Sequence, residues 1–412
     1  MNLNTETKKQ VQELVVSQTE VCTGLRFSSA KSNSEQLRAP KRSTQLAFFI
    51  AGFALSSWAP LVPFAQQRLG ADSATLGSVL LCLGLGAVIG MPGAGALASR
   101  IGCKALIIAG AAALTVALPL LAIASTPMIL GLCLLLFGAS IGAIDVAANI
   151  HGTEVQKLAK RPLMSGFHGL YSIGGLVGAA SVTGAIAAGA SAAAAAVGAG
   201  VVIACCLIVA APGFLITKSI EKSPLIVVPK GVVLVVGILA MIIFLAEGAM
   251  LDWSALLLSH EKGVDVGIAG AGYAVFACAM TLIRVVGDRI VSSAGERATL
   301  VAGFLLTALG LGAAALSDNL IVVFAAIVVA GFAAGNVVPV LFSLAGRQSI
   351  MPASHAIAAA SMLGYLGVLL GPALLGYAAH AVGLTESFYG LAALVALAAL
   401  AIPLVLAGRS NR

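Results

Sequence analysis

Charged residues are scarce in this chain. Asp, Glu, Lys and Arg make up 9% of its 412 residues, whereas a typical soluble domain carries about 25%. Apolar residues make up 60%, and the mean hydropathy is +1.06. No water-soluble fold can hide so large an apolar surface. The composition therefore predicts an integral membrane protein and excludes a large soluble domain.

The residue patterns of enzymes and nucleic-acid binders are also missing. The sequence contains no recognisable pair of nucleophile and base, no phosphate-binding glycine loop and no metal-ligand spacing. Its seven cysteines form neither a zinc pattern nor a disulfide framework. The net charge of +7 is not gathered into a patch that could bind nucleic acid. We therefore expect no enzymatic activity, cofactor, metal or nucleic-acid partner.

Long apolar segments fill most of the chain. A membrane-spanning helix needs roughly 20 predominantly apolar residues. Division at charge clusters and at Gly and Pro predicts an all-α membrane protein of about twelve spans. The predicted spans are 44–66, 74–98, 105–125, 128–150, 164–188, 192–216, 231–258, 266–286, 298–316, 320–344, 355–380 and 385–408.

The basic residues predict the orientation. With these spans, 21 of the 23 Lys and Arg residues fall on one side, and only Arg68 and Lys262 fall on the other. The positive-inside rule then places both termini in the cytoplasm, and we expect the protein to lie in the cell's inner membrane. Residues 1–43 are polar and lack the apolar core of a signal peptide, so we expect a disordered cytoplasmic tail. Residues 217–230 are the predicted cytoplasmic linker.

The chain repeats itself at an offset of 193 residues. Gly295 lies 193 residues after Gly102, and glycines of spans four and five recur at the same distance in spans ten and eleven. Several matches at one offset indicate a duplicated six-helix unit, a recurring design of transporters. The predicted halves are residues 44–216 and 231–412.

The loop after span two carries a recognisable motif. Its sequence is GALASRIGCK, residues 95–104. It resembles the signature loop of the major facilitator superfamily, Gly-x-Leu-Ala-Asp-Arg-x-Gly-Arg-Arg/Lys. The residues that match are Gly95, Leu97, Ala98, Arg100, Gly102 and Lys104. Ser99 stands where the family usually has Asp, and Cys103 stands where it usually has a basic residue.

The resemblance implies that this loop latches the inner ends of the two halves, with its acidic residue paired to a neighbouring helix end. A degenerate copy in the second half, Gly287-Asp288-Arg289, keeps an acidic residue. We therefore expect Asp288 and Arg289 to take part in the latch. The alternative is that Arg100 and Lys104 only anchor the loop on the cytoplasmic side.

A narrower resemblance lies at the end of span four. The segment Asp145-Val146-Ala147-Ala148-Asn149 is similar to the Glu-Thr-Ala-Ala-Asn segment of the fucose and hexose permease branch, where the acid belongs to the sugar and proton pathway. The resemblance implies a proton-carrying role for Asp145 and a solute contact for Asn149, one turn further on. That branch also has an acid in span one, where this chain has Ser56-Ser57-Trp58.

Acidic residues within spans are proton-coupling candidates. A charge inside a span costs roughly 2.5–3.5 kcal/mol to insert and is kept away from lipid, so it is a functional candidate. Glu247 and Asp252 in span seven join Asp145 in this group. The alternative for Glu247 is a packing hydrogen bond, and for Asp252, beside Trp253, it is a solvated helix end.

Other polar residues within spans are candidates for binding the solute. His168 and Tyr171 lie three residues apart in span five, and Asn336 and Tyr365 lie in spans ten and eleven. Each could instead be an interhelical hydrogen-bonding residue. We expect Arg284, near the predicted inner end of span eight, to extend its side chain to the membrane surface rather than bind an anion.

Together these features predict a secondary transporter that moves a small polar solute, with a sugar as one option, by alternating access and with proton coupling. Its partners would be the solute, protons and the bilayer, and we expect it to function as a monomer. Import with protons and export against them would use the same residues, so direction stays open. A drug or metabolite exporter is the alternative within this class. A non-transporting sensor or scaffold is the alternative from another class.

Overall fold

The computed structural model describes residues 37–70, 73–216, 228–264 and 271–407. These residues form helices joined by short connections. Most of the predicted tail and linker lies outside the described residues. The first helix begins at Arg38, so the last residues of the segment predicted to be disordered are helical.

Eleven helices in the described residues are long and apolar enough to cross a membrane. In chain order they are α1 (Arg38–Leu69), α2 (Ser73–Ile101), α3 (Cys103–Ile123), α4 (Pro127–Ala159), α5 (Met164–Ala187), α6 (Ala192–Gly213), α7 (Val232–Glu261), the stretch Ala271–Leu316, α10 (Leu320–Ala345), α11 (Ala353–Val382) and α12 (Leu384–Leu406).

The stretch Ala271–Leu316 consists of two helices. They meet at Gly295, whose φ of 81° breaks the helical path, and we call residues 271–294 α8 and residues 296–316 α9. Gly102 joins α2 to α3 in the same way, with a φ of 84°. Glycine adopts positive φ without the steric cost that other residues meet. The described residues thus contain twelve spans, as predicted, but α8 extends beyond residue 286, where the sequence predicted a loop.

The two halves repeat the same helix pairings. In the first half α1 packs on α5, α2 on α4 and α3 on α6, and in the second half α7 packs on α11, α8 on α10 and α9 on α12. The contacts recur in detail. A methyl group on Gly138 would lie 1.9 Å from the Leu83 carbonyl oxygen, and one on Gly331 would lie 2.5 Å from that of Phe276. Both pairs are separated by the 193-residue offset, so close helix approach at glycine recurs in both halves.

The bundle has two faces, which we distinguish by the chain ends. The face where α1 begins and α12 ends is the terminal face, and the other is the opposite face. Arg68 and Lys262 lie at the opposite face, and each binds the end of a helix. Arg68 donates to the carbonyls of Leu121, Ala122 and Ala124 at distances of 2.6–3.0 Å. Lys262 donates to the carbonyl of Ala315 at 2.7 Å. These two cations cap the C-terminal ends of α3 and α9.

The outer surface of the bundle is apolar. Ile208, Ile321 and Leu400 are 71%, 81% and 75% exposed, respectively. Large apolar side chains on the outside fit a lipid environment, because a soluble monomer seldom exposes so many of them together. The buried polar side chains lie instead inside the bundle, many of them between the halves.

Candidate functional site

Ionisable and polar side chains meet midway along the helices, at the seam between the two halves. Asp145 lies near the middle of α4, Glu247 near the middle of α7 and Arg284 near the middle of α8. Asp145 is 8% exposed and Arg284 is 4% exposed. Burying a charged side chain at this depth is costly unless partners compensate its charge, so we take these three side chains and their neighbours as the core of the candidate site, the central cluster.

The first half contributes a hydrogen-bonded chain of three side chains. The Asn149 amide nitrogen donates to Oδ1 of Asp145 at 3.2 Å and to the Asp145 carbonyl at 2.9 Å. Asn149 Oδ1 lies 3.2 Å from Nε2 of His168. Because the amide nitrogen donates to Asp145, its oxygen is the acceptor for His168, and Nε2 of His168 is the donor. Asp145 and Asn149, one helical turn apart, lie on the same face of α4 and are hydrogen-bonded to each other.

His168 is enclosed by rings from both halves. Its ring centroid lies 4.9 Å from that of Phe48 on α1 and 5.9 Å from that of Phe342 on α10. The aromatic neighbours keep water from the ring on both sides. His168 therefore packs within its own half and also contacts the other half across the seam.

Arg284 connects the two halves. Its Nη1 donates to the hydroxyl of Ser172 on α5 at 2.9 Å, and its Nε donates to the carbonyl of Gly335 on α10 at 3.0 Å. Its Nη2 lies 3.9 Å from Oε2 of Glu247. The expectation that Arg284 reaches the membrane surface is therefore wrong. Because α8 continues well beyond residue 286, Arg284 lies deep in the bundle instead of near a helix end.

The Gly335 carbonyl is free to bind Arg284 because α10 is interrupted at this point. Helical residues 320–334 and 337–345 are separated by a turn at Gly335 and Asn336. Pro339 has no backbone N–H, so the carbonyl four residues earlier, that of Gly335, has no intrahelical donor at that position. Interrupted helices supply polar backbone groups to the midplane sites of transporters.

Glu247 and two tyrosines line the second part of the site. The Glu247 side chain is 23% exposed. Tyr171 on α5 and Tyr365 on α11 lie side by side across the seam and are partly accessible. The more deeply buried Asp145 and His168 lie beside this accessible layer.

Several buried oxygen atoms at the seam make no hydrogen bond in the described part of the chain. They are Oδ2 of Asp145, Oε2 of Glu247, Oδ1 of Asn336 and the Ser361 hydroxyl. Ser361 lies beside the Asp145 carboxylate and can donate to it, whereas Oε2 of Glu247 and Oδ1 of Asn336 have no donor within hydrogen-bonding distance. Buried acceptors without donors are costly. Protons or hydrogen-bond donors of a solute would remove that cost.

Between this site and the terminal face, the two halves are held together by Asp288. Its carboxylate accepts hydrogen bonds from the backbone N–H groups of Ser165 at 3.0 Å and Gly166 at 3.1 Å, at the start of α5. A negative charge at a helix N-terminus is favoured by the free N–H groups and by the helix dipole. An acidic residue of the second half thus contacts the end of a helix in the first half, which is the kind of contact that the resemblance implies for the latch.

The corresponding position in the first half works differently. Gly95 lies 193 residues before Asp288 and packs on the start of α11, where a methyl group on Gly95 would lie 2.6 Å from Cβ of Ala358 and 3.2 Å from the Ser354 carbonyl oxygen. Ser99 donates to the Ala96 carbonyl of its own helix at 2.7 Å. The first-half contact therefore depends on close helix packing at Gly95.

The remaining predicted residues lie outside the central cluster. Arg100 and Arg289 are exposed at the terminal face, and Lys104 is half-buried at the start of α3. Asp252 is exposed on α7. Asn336 lies between the cluster and the latch, since a methyl group on Gly287 would meet its Oδ1 at 2.0 Å.

Sequence reasoning missed two serines of the site. Ser172 binds Arg284, and Ser361 lies beside Asp145. A serine in an apolar helix is too common a feature to single out. The interruption of α10 did leave a signal in the sequence, because Gly335-Asn336 is followed closely by Pro339.

Comparisons with known proteins agree with this architecture. An uncharacterized MFS-type transporter of Yersinia pestis is 45% identical over 348 residues, covering 84% of this chain and 90% of that protein. In fold the chain is similar to the E. coli fucose:proton symporter FucP, with a TM-score of 0.73, 15% identity and coverage of 91% of this chain and 100% of that one. The proton:xylose symporter XylE gives a TM-score of 0.72 at 13% identity, covering 90% of this chain and 95% of that one.

The family model described as Major Facilitator Superfamily matches residues 45–347 and 236–412. These matches extend across both halves and all twelve spans. Together with the repeated six-helix halves and the seam between them, they establish that the chain belongs to the major facilitator superfamily of membrane transporters.

Proposed function

We propose that this protein is a proton-coupled secondary transporter that moves a small polar solute by alternating access. The observation that carries the proposal is the composition of the central cluster, in which two acids, Asp145 and Glu247, accompany one guanidinium, that of Arg284. Full ionisation would leave one negative charge without compensation in a buried site, which is unfavourable. Uptake of one proton removes that charge, and its release restores it.

Glu247 is the proton carrier that the geometry favours. Its Oε2 lies 3.9 Å from Arg284 Nη2, which in turn contacts α5 and α10 through other nitrogens. Protonation of Glu247 weakens its attraction for Arg284, and Arg284 connects the two halves. Loading of a proton is thereby linked to the contact of Arg284 with Ser172, which joins the two halves.

The Asp145 carboxylate, with the Tyr171 and Tyr365 hydroxyls nearby, supplies acceptors and hydroxyls for a solute that carries several hydrogen-bond donors. Polyols and sugars have this chemistry. The solved structures similar in fold include transporters described as fucose:proton and proton:xylose symporters, which supports testing sugars first.

The latch at Asp288 and Gly95 supports a closed terminal face in this conformation. The distribution of Lys and Arg supports placing that face on the cytoplasmic side of the cell's inner membrane. The candidate site is formed within one chain, which supports function as a monomer.

The test is an uptake screen in proteoliposomes with and without an imposed pH gradient. We expect one class of small polar solute to accumulate only when the gradient is present. Glu247→Gln should lose this accumulation while retaining exchange of labelled for unlabelled solute, because exchange needs no net proton movement. Asp252→Asn is the matched control, since Asp252 lies on the same helix but is exposed. Accumulation that ignores the gradient would remove the proton from the mechanism.

A further inference from the structure

A cavity of about 230 Å³ lies between the halves at the terminal face, outside the Asp288 latch. The first half lines it with Lys157, Lys160 and Arg161, at the connection between α4 and α5. The second half lines it with Glu296 at the start of α9 and with Arg347 just beyond α10. The cavity is distinct from the central cluster, which lies deeper in the bundle.

The acids around the cavity already have partners. Glu296 pairs with Arg347, and the Asp288 carboxylate accepts from the two backbone N–H groups at the start of α5. Lys157 pairs with Glu154 at 2.9 Å.

The remaining cations of the first half are not neutralised in this way. Among the described residues, neither Lys160 nor Arg161 has an acid within 4 Å. Arg161 interacts with the Asp288 carboxylate only through charge at longer range. The lining holds four cations, Lys157, Lys160, Arg161 and Arg347, against two acids, Asp288 and Glu296, so it carries two more positive charges than negative ones. Arg347, which lies on the other half, shares its guanidinium with Glu296.

The connection that carries these cations is held in a fixed shape. Gln156 Oε1 accepts from the backbone N–H groups of Leu163 at 2.8 Å and Met164 at 3.3 Å. Its Nε2 donates to the Ser343 hydroxyl of the other half. Lys160 ends α4 in the left-handed conformation, with a φ of 52°. Lys160 and Arg161 therefore lie on a turn whose conformation is fixed by the hydrogen bonds of Gln156.

We infer that this cavity binds an anion of the phosphate class, held between Lys160 and Arg161 of the first half and Arg347 of the second. Guanidinium groups bind phosphate oxygens in pairs, and a lysine ammonium adds a point charge. An anion that contacts both halves stabilises the conformation in which they are closed at this face. Such an anion could be a free phosphate compound or the headgroup of an anionic phospholipid, because both present the same oxygens.

The experiment measures thermal unfolding of the full-length purified protein in a neutral detergent. Inorganic phosphate is titrated against sodium chloride at matched ionic strength, and a parallel arm compares nanodiscs of phosphatidylglycerol with nanodiscs of phosphatidylcholine. We expect a saturable rise of the midpoint by about 2 °C or more with phosphate or with phosphatidylglycerol. A rise with phosphate assigns a free anion, and a rise with phosphatidylglycerol alone assigns a lipid headgroup.

The double variant Lys160→Gln/Arg161→Gln should lose this rise. The matched control is Lys230→Gln/Arg297→Gln, which removes two exposed cations of the terminal face that lie outside the cavity lining. Arg347→Gln should also lose the rise. An equal response to chloride, an equal loss in the control, or an unchanged response in Arg347→Gln would overturn the inference, the last because binding would not join the halves.

Discussion

Asp288→Asn should open the terminal face. The native carboxylate makes two hydrogen bonds to the start of α5, at 3.0 Å and 3.1 Å, and these bonds join one half to the other. Asparagine keeps one acceptor oxygen but loses the charge. A capping bond contributes about 1 kcal/mol, and the charge at a helix N-terminus contributes about 0.3–1 kcal/mol. The closed state should therefore lose about 1–2 kcal/mol.

This loss falls on one conformation, because the contact exists only while the halves are closed at this face. A change of 1–2 kcal/mol shifts an equilibrium by about 5- to 30-fold. Spin labels at Leu158→Cys and Ser293→Cys report the distance between the halves, since both native residues are exposed near the terminal face. The labels are placed in a protein whose native cysteines are replaced by serine.

We expect the distance distribution of Asp288→Asn to gain a longer component. The control is Glu154→Gln, which removes a carboxylate at the same face whose partner, Lys157, lies on the same helix. An unchanged distribution in Asp288→Asn would refute the reasoning. An equal shift in the control would do so as well, since it would reflect surface charge and not the cross-half contact.

Two further substitutions test contacts of the two halves. Arg284→Lys should abolish transport while the protein remains folded, because a single ammonium group cannot reproduce the fixed fork that contacts Ser172 and Gly335 together; transport at the native rate with an unchanged melting curve would contradict this. Arg68→Ala should lower the free energy of unfolding by about 1–2 kcal/mol, because three carbonyls at the end of α3 lose their donor. Lys262→Ala should do the same for α9, and denaturation curves that match the native protein would contradict both.

The twelve spans and their duplication could be predicted because hydropathy and glycine spacing are written directly in the sequence. Gly102 and Gly295 mark equivalent helix boundaries, and their positive φ angles agree within a few degrees. The length of α8 could not be predicted in this way. Asp288 and Arg289 give the segment a polar appearance typical of a loop, whereas in the structure they belong to a helix that continues past the end of the apolar run.

That one error changed the interpretation of Arg284. A helix ending at residue 286 places Arg284 at a membrane surface, whereas a helix continuing to residue 294 places it deep in the bundle. That Asp145 and Asn149 lie one turn apart on the same side of α4 needed only helical spacing and could be predicted. The contact of Arg284 with Ser172 joins residues from different halves, and no local pattern in the sequence specifies such a contact.

Because the two halves share one set of contacts, each half supplies a natural reference for the other. Where an equivalent pair is alike, as with Gly138 and Gly331, the position belongs to the architecture that both copies need to fold. Where a pair differs, as with Gly95 and Asp288, the two copies make the contact between the halves in different ways. Such a comparison separates residues that build the bundle from residues that move it, using this one molecule alone.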